Sequence, residues 1–179
     1  ICEKLGVKHI DCDIIARKAT EKGEEGLNAV CEVFGNDILN TDGTLNRKVL
    51  AKKAFKDADS TELLNKTLLP IIKKMVLKEI DCDKVILDAP TLFESGIDEI
   101  CYKTVAVLSD KEIRLKRILA RDNITTEQAL LRINAGKTDD FYKEKCDFVI
   151  YNNADENTFM DDFLNLLKEI FELWVKLKN

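Results

Sequence analysis

With 179 residues, 45% of them hydrophobic and 34% charged, the chain has the composition of an ordinary globular protein, long enough to bury a core. Its formal net charge of −5 argues against a general nucleic-acid binder, which draws affinity from a basic surface that neutralises phosphates. No apolar run approaches the roughly 20 residues that span a bilayer, and no signal-peptide pattern opens the chain, so no membrane role and a cytoplasmic location are expected. The six cysteines are scattered without a CxxC pair and His9 is the single histidine, which argues against structural zinc and for reduced thiols.

The first residues, Ile1 to Gly6, include no initiator Met and read as the tail of a helix closed by a glycine C-cap, so an upstream segment is expected. Four short apolar or β-branched runs then read as strands: Val7–Cys12, Lys84–Ala89, Thr104–Leu108 and Phe148–Tyr151. The middle two are nearly continuous apolar, as strands covered on both faces of a parallel sheet are. Helical patterns lie between them, near Ile14–Glu21, Glu24–Phe34, Asn46–Phe55 and Thr61–Ile80, with a turn tipped by Asp42-Gly43. This alternation predicts an α/β fold. About seventy residues between the first two strands exceed a simple crossover and predict a helical insert. A second, charge-rich and strand-free span covers Asp110–Lys145. The chain closes on a long amphipathic helix whose stripe, Phe159, Phe163, Leu166, Ile170, Leu173 and Leu177, reads with Trp174 as core packing.

The tetrapeptide Ile-Asp-Cys-Asp occurs at residues 10–13 and again at 80–83. Open α/β sheets bind ligands outside the carboxyl ends of their strands. The first copy ends a strand and leads into a helix, so Asp11 and Asp13 sit at that edge. The second precedes a strand, which puts Asp81 and Asp83 at the opposite edge as turn residues. Asp13 also stands where a helix N-cap would, so capping and catalysis are both open readings of it. Asp88 ends the second strand, as acids facing Mg²⁺ do in many P-loop NTPases, although a strand-terminal Asp often only starts a turn. Arg114, Arg117 and Arg121 recur at spacings of three and four along one helix stripe. A solvated basic face explains them; so does a lid whose guanidinium forks meet phosphates.

In order and at similar spacing, the runs LGVKHIDCDIIAR, FGNDILNTDGTLNRKVLAKKAF, LLPII, VILDAPTLFESG, RLKRILARDNIT and CDFVIYNN resemble dephospho-CoA kinase over essentially the whole chain. No one of these runs is decisive; the ordered set is specific. The resemblance implies a P-loop NTPase-like parallel sheet flanked by helices, with core residues 1–22, 81–110 and 146–179, a helical CoA-binding insert at 23–80 and a lid at 111–145. It implies ATP and Mg²⁺ as cofactors, dephospho-CoA as acceptor, and transfer of the γ-phosphate to the acceptor 3′-hydroxyl. Carried over by position, Asp13 matches the general base and Asp11 a supporting acid beside the acceptor. Arg47 falls in the CoA-binding insert, while Pro90, Phe93 and Glu94 match a segment beside the acceptor. Arg117 and Arg121 match lid arginines that approach the ATP phosphates, Arg121 with a catalytic role. Asn152 and Asn153 match the loop bordering the adenine; apart from the resemblance, the strand-end place of Asp88 is the one from which an acid would reach a metal through water.

The chain departs from the family pattern most at the Gly-rich phosphate loop and its central strand: no GKS or GKT occurs in these residues. Leu69-Pro70 replaces a His-Pro pair, Thr91 a leucine, Gly136 a lid glutamine, and Tyr142 a basic residue flanked by Lys137 and Lys143. Truncation ahead of Ile1 and decay of a paralogue both account for the missing loop, and the intact acceptor-side residues favour truncation. The 179 residues by themselves are expected to be inactive. Another small-molecule P-loop kinase, which would lack the FGNDIL…DGTLNR segment, and a non-catalytic CoA- or nucleotide-binding module are the rival readings.

Overall fold

The computed structural model describes residues 6–178, with side chains described through Glu172. Contacts divide the chain into two compact units, the first ending at Ile100 and the second beginning at Cys101. Gly6 takes the left-handed φ of 62° that a helix-ending glycine needs, while the expected helix tail before it lies outside the described residues.

In the first unit, β1 (Lys8–Asp11) pairs in parallel with β2 (Val85–Asp88), with Lys8 opposite Val85 and Asp11 opposite Asp88. Parallel strands need a crossover, and here it is a set of helices: α1 (Cys12–Ala19), α2 (Glu25–Phe34), α3 (Arg47–Ala54) and α4 (Ala58–Glu79). Helix α4 is the spine on which α1, α2 and α3 all pack. It runs on through Pro70, which removes one backbone N–H from the helix ladder. Cys12, Ile15 and Ala19 form the buried stripe of α1, spaced three and four apart. A Cβ at Gly26 would stand 2.4 Å from the Ala19 carbonyl oxygen, so the close approach of α2 to α1 requires glycine there.

The insert builds its own core from Leu27, Val30, Ile38, Leu50 and Ala54, with Phe34, Leu45, Leu64 and Leu68 packed around it. The expected Asp42-Gly43 turn is formed. Leu39 and Leu45 bridge in antiparallel fashion, Gly43 takes φ 79°, and the Asp42 carboxylate accepts from the Thr44 N–H (2.9 Å) and hydroxyl (2.6 Å). Ile38 is wholly buried at the foot of this turn. Ile38→Ala is therefore expected to destabilise the chain by about 2–5 kcal/mol, measured by denaturant unfolding. A loss under about 1 kcal/mol would show that the insert core is loosely packed.

The second unit repeats the parallel theme: β3 (Val105–Leu108) pairs with β4 (Phe148–Tyr151). The charge-rich span between them holds three helices, α5 (Lys111–Asp122), α6 (Thr126–Ala135) and α7 (Asp139–Lys145), and no strand. Asp147 joins the strand starts, accepting from the Thr104 N–H (2.8 Å), the Thr104 hydroxyl (2.9 Å) and Lys103 (2.7 Å). Helix α8 (Glu156–Lys178) packs on β4 and buries Leu167 and Ile170, while the Phe159 and Phe163 rings stack at 6.1 Å. The side chains of Leu173, Trp174 and Leu177 lie outside the described residues.

Candidate active site

The register of β1 and β2 brings Asp11 and Asp88 side by side at the carboxyl edge of their sheet, on strands about 4.8 Å apart. Asp11, not Asp13, is the N-cap of α1, which corrects the capping position allowed from sequence. Its Oδ1 accepts from the backbone N–H of Asp13 (2.9 Å) and of Ile14 (3.1 Å). The strand ends one residue earlier than its apolar run suggested, because Cys12 already turns into the helix and is buried beneath it. Asp13 therefore stands in the first turn of α1 with an exposed carboxylate, and among the described residues no side chain bonds it. Asp88 is likewise exposed.

The second Ile-Asp-Cys-Asp copy lies elsewhere. Asp81 follows the end of α4 and pairs with Lys8, the first residue of β1, at 2.9 Å. This hydrogen bond holds the Asp81 carboxyl below its usual range and raises the Lys8 ammonium above its own. With strands of four residues, the two edges stand about 10 Å apart. That is shorter than an average strand would give and still beyond proton transfer.

The segment after β2 is a run of turns, closed by bonds from Leu92 N–H to Ala89 O and from Ile97 N–H to Leu92 O, and anchored by buried Ile97. Pro90 and Glu94 are exposed on it and Phe93 is half-buried. Lys73 of α4 donates to the Gly96 carbonyl at 2.7 Å and fastens the segment to the helix. Between them opens a cleft of about 460 Å³, lined by Lys66, Leu69, Pro70 and Lys73 from α4 and by Glu94 and Ser95. The cleft joins Glu94, singled out from sequence, to the Leu69-Pro70 departure. Sequence reasoning missed Lys66 and Lys73, whose signal was the same helical spacing that places Glu62 and Leu69 on one face of α4. Arg47, at the start of α3, donates to the Arg17 carbonyl (3.2 Å) and the Thr20 hydroxyl (3.0 Å), tying the insert to the end of α1.

In the second unit the three arginines of α5 do not act as one free stripe. Arg114 pairs with Asp139 of α7 at 3.1 Å. Arg117 donates to the Asn152 backbone carbonyl (2.8 Å) and side-chain oxygen (3.1 Å), so two residues assigned to the nucleotide stand together. The Asn153 side chain accepts from the Asp110 N–H (2.8 Å) just ahead of α5. Arg121 forms a two-bond fork with Asp122, Nε to Oδ1 at 2.6 Å and Nη2 to Oδ2 at 3.0 Å, and Arg132 of α6 bonds the same carboxylate. The Arg121 hydrogen bond, then its charge and that of Arg132, hold the Asp122 carboxyl below the usual range. This clamp is present at neutral pH and is lost as acid protonates Asp122. Asp122 and Arg132 were not found from sequence; the Arg121-Asp122 adjacency was its one local signal.

Parallel strands flanked by helices, with acids at the carboxyl edge where open α/β sheets bind ligands, define an α/β fold of the kind P-loop phosphotransferases use. The family model described as CoaE, dephospho-CoA kinase, matches residues 1–157. The dephospho-CoA kinase of Listeria innocua is 38% identical over 178 residues, covering 92% of this chain and 89% of its own. Among solved structures, the dephospho-CoA kinase from Campylobacter jejuni is similar with a TM-score of 0.66 and 26% identity, covering 94% of this chain and 87% of that one. TT1252 from Thermus thermophilus shares the fold, with a TM-score of 0.74 at 24% identity over 93% of this chain and 86% of that one. The chain belongs to the dephospho-CoA kinase family, ATP-dependent transferases of the last step of coenzyme A synthesis.

Proposed function

We propose that this chain transfers the γ-phosphate of ATP to the 3′-hydroxyl of dephospho-CoA, with Asp13 as general base. The observation that carries the reading is the carboxyl edge of β1 and β2: Asp11 caps the helix, which leaves the Asp13 carboxylate exposed and uncommitted beside it. A ribose hydroxyl is a weak nucleophile, and a carboxylate in reach orients it and takes its proton as the phosphoryl group arrives. Arg117 and Arg121 bind the ATP phosphates, and Arg121 stabilises charge that develops in transfer. Asn152 and Asn153 border the adenine. Arg47, within an insert at 23–80, and Pro90, Phe93 and Glu94, on the segment after β2, belong to the acceptor side, and the lid spans 111–145. The expected location is the cytoplasm, in keeping with scattered cysteines that form no CxxC pair.

Among the described residues no cluster of three or more acids, histidines or cysteines could enclose a metal ion. Asp88, with Asp11 alongside, fits a Mg²⁺ held mainly by water and phosphate oxygens, the coordination this ion prefers. Bound there, Mg²⁺ would neutralise phosphate charge.

The test is CoA formation from dephospho-CoA and ATP. A form of the chain carrying a Gly-rich phosphate loop ahead of Ile1 is expected to turn over, and the 179 residues alone to show negligible activity, because they hold no GKS or GKT cradle. Robust CoA production by the 179 residues alone would contradict the second expectation. A loop-bearing form that phosphorylates nucleosides and ignores dephospho-CoA would establish the rival kinase. Tight CoA binding without turnover would establish a binding module.

A further inference from the structure

We propose, on the reading just given, that Arg132 joins Arg121 in binding the ATP phosphates and that Asp122 is the positioning residue that gathers the two guanidiniums. The local fold makes the juxtaposition. Helix α5 ends at Asp122, and Asn123 takes the left-handed conformation, φ 49°, that Asn tolerates better than most residues. Thr125 then starts α6 with a capping box, its hydroxyl and the Gln128 side chain bonding each other's backbone N–H. The two helices pack as a hairpin, and Arg132 reaches back to the end of α5.

One carboxylate thereby holds both cations. The Asp122 side chain is 19% exposed, whereas those of Arg121 and Arg132 are 74% and 56% exposed. The anchor is sheltered and the two guanidinium-bearing side chains are exposed to water. A guanidinium has five N–H donors, and the bonds to Asp122 use Nε and Nη2 of Arg121 and Nη1 of Arg132. Among the described residues no other acceptor engages Nη1 of Arg121 or Nε and Nη2 of Arg132. Two positive charges against one negative leave a cationic spot on an acidic chain, with donors arrayed for the oxygens of a polyphosphate. Without Asp122 the guanidiniums would repel and each long side chain would have to be ordered by the ligand. An ion triad that merely ties two helices together is the competing account.

The test uses a phosphate-loop-bearing form of the chain, with kcat, KM for each substrate, ATP affinity by calorimetry and Tm measured for each variant. Arg132→Ala is expected to weaken ATP affinity and kcat/KM for ATP by about 10-fold or more, with the KM for dephospho-CoA changed less than about twofold. Arg132→Lys should restore only part of the loss, because an ammonium lacks the fork. Asp122→Asn should shift the same parameters in the same direction, and the double variant should lose less than the two singles combined. Arg132 is exposed, so its variants decide the matter even if Asp122→Asn folds poorly. Unchanged ATP affinity and kinetics in Arg132→Ala, with only Tm moved, overturns the proposal. Loss of ATP affinity in these variants of an enzyme that never turns over dephospho-CoA would instead sink the functional reading and leave the phosphate pair standing.

Discussion

Asp13→Asn in a loop-bearing form is expected to lower kcat by about 10²–10⁴-fold, the usual contribution of a positioned general base, with substrate binding and Tm nearly unchanged. Asn keeps the shape of the side chain and removes its charge and its ability to take a proton. The structure sharpens the alternative this result must beat. Since Asp11 accepts the N–H groups of Asp13 and Ile14, a capping role for Asp13 is gone. What remains for it structurally is a favourable first-turn charge near the N-terminus of α1, worth about 0.3–1 kcal/mol. On that account Asp13→Asn would lower Tm slightly and leave turnover intact, the reverse of the expected result. The paired control is Asp81→Asn with Asp83→Asn. Asp81 is tied to Lys8 at the amino edge, through an exposed ion pair that contributes little to stability. The control should lose a little stability and no turnover. If the control loses turnover while Asp13→Asn keeps it, the positional reading of the two tetrapeptides is wrong.

Arg121→Ala should lower kcat by about 10- to 1000-fold, the scale of removing one transition-state contact, and leave the KM for dephospho-CoA close to its starting value. Its guanidinium is oriented by a fork on the Asp122 carboxylate, with bonds of 2.6 and 3.0 Å, which leaves Nη1 to meet a phosphate oxygen. Arg121→Lys is expected to recover little, because a single ammonium can neither keep the fork to Asp122 nor present a second donor outward. A variant that keeps kcat and loses only dephospho-CoA affinity would move Arg121 to the acceptor side and overturn the lid assignment.

How far local sequence reaches is plain in particular elements. All four strands were legible because short β-branched runs bounded by turn residues have few alternatives, and Phe148–Tyr151 matches residue for residue. The Asp42-Gly43 turn was legible because glycine accepts the left-handed φ that the tip demands. The order of motifs was enough to point to the family, since each motif carries its own local chemistry. The functional reading of the two Ile-Asp-Cys-Asp copies also followed from order alone: one leaves a strand and the other enters one.

Other features were decided only by the tertiary structure. Which aspartate caps α1 depends on where β1 stops pairing with β2, and the structure gives the cap to Asp11, leaving only the second of the two open readings of Asp13. The alignment of Asp11 with Asp88 joins residues 77 positions apart through strand register. The α5 arginines formed one stripe by spacing, yet each was drawn to a different partner: Asp139, Asn152 and Asp122. Arg132 reaches Asp122 only because Asn123 turns the chain back and α6 packs on α5. Periodicity reports the face a residue occupies on its own element; it carries no information about which charge another element brings to that face.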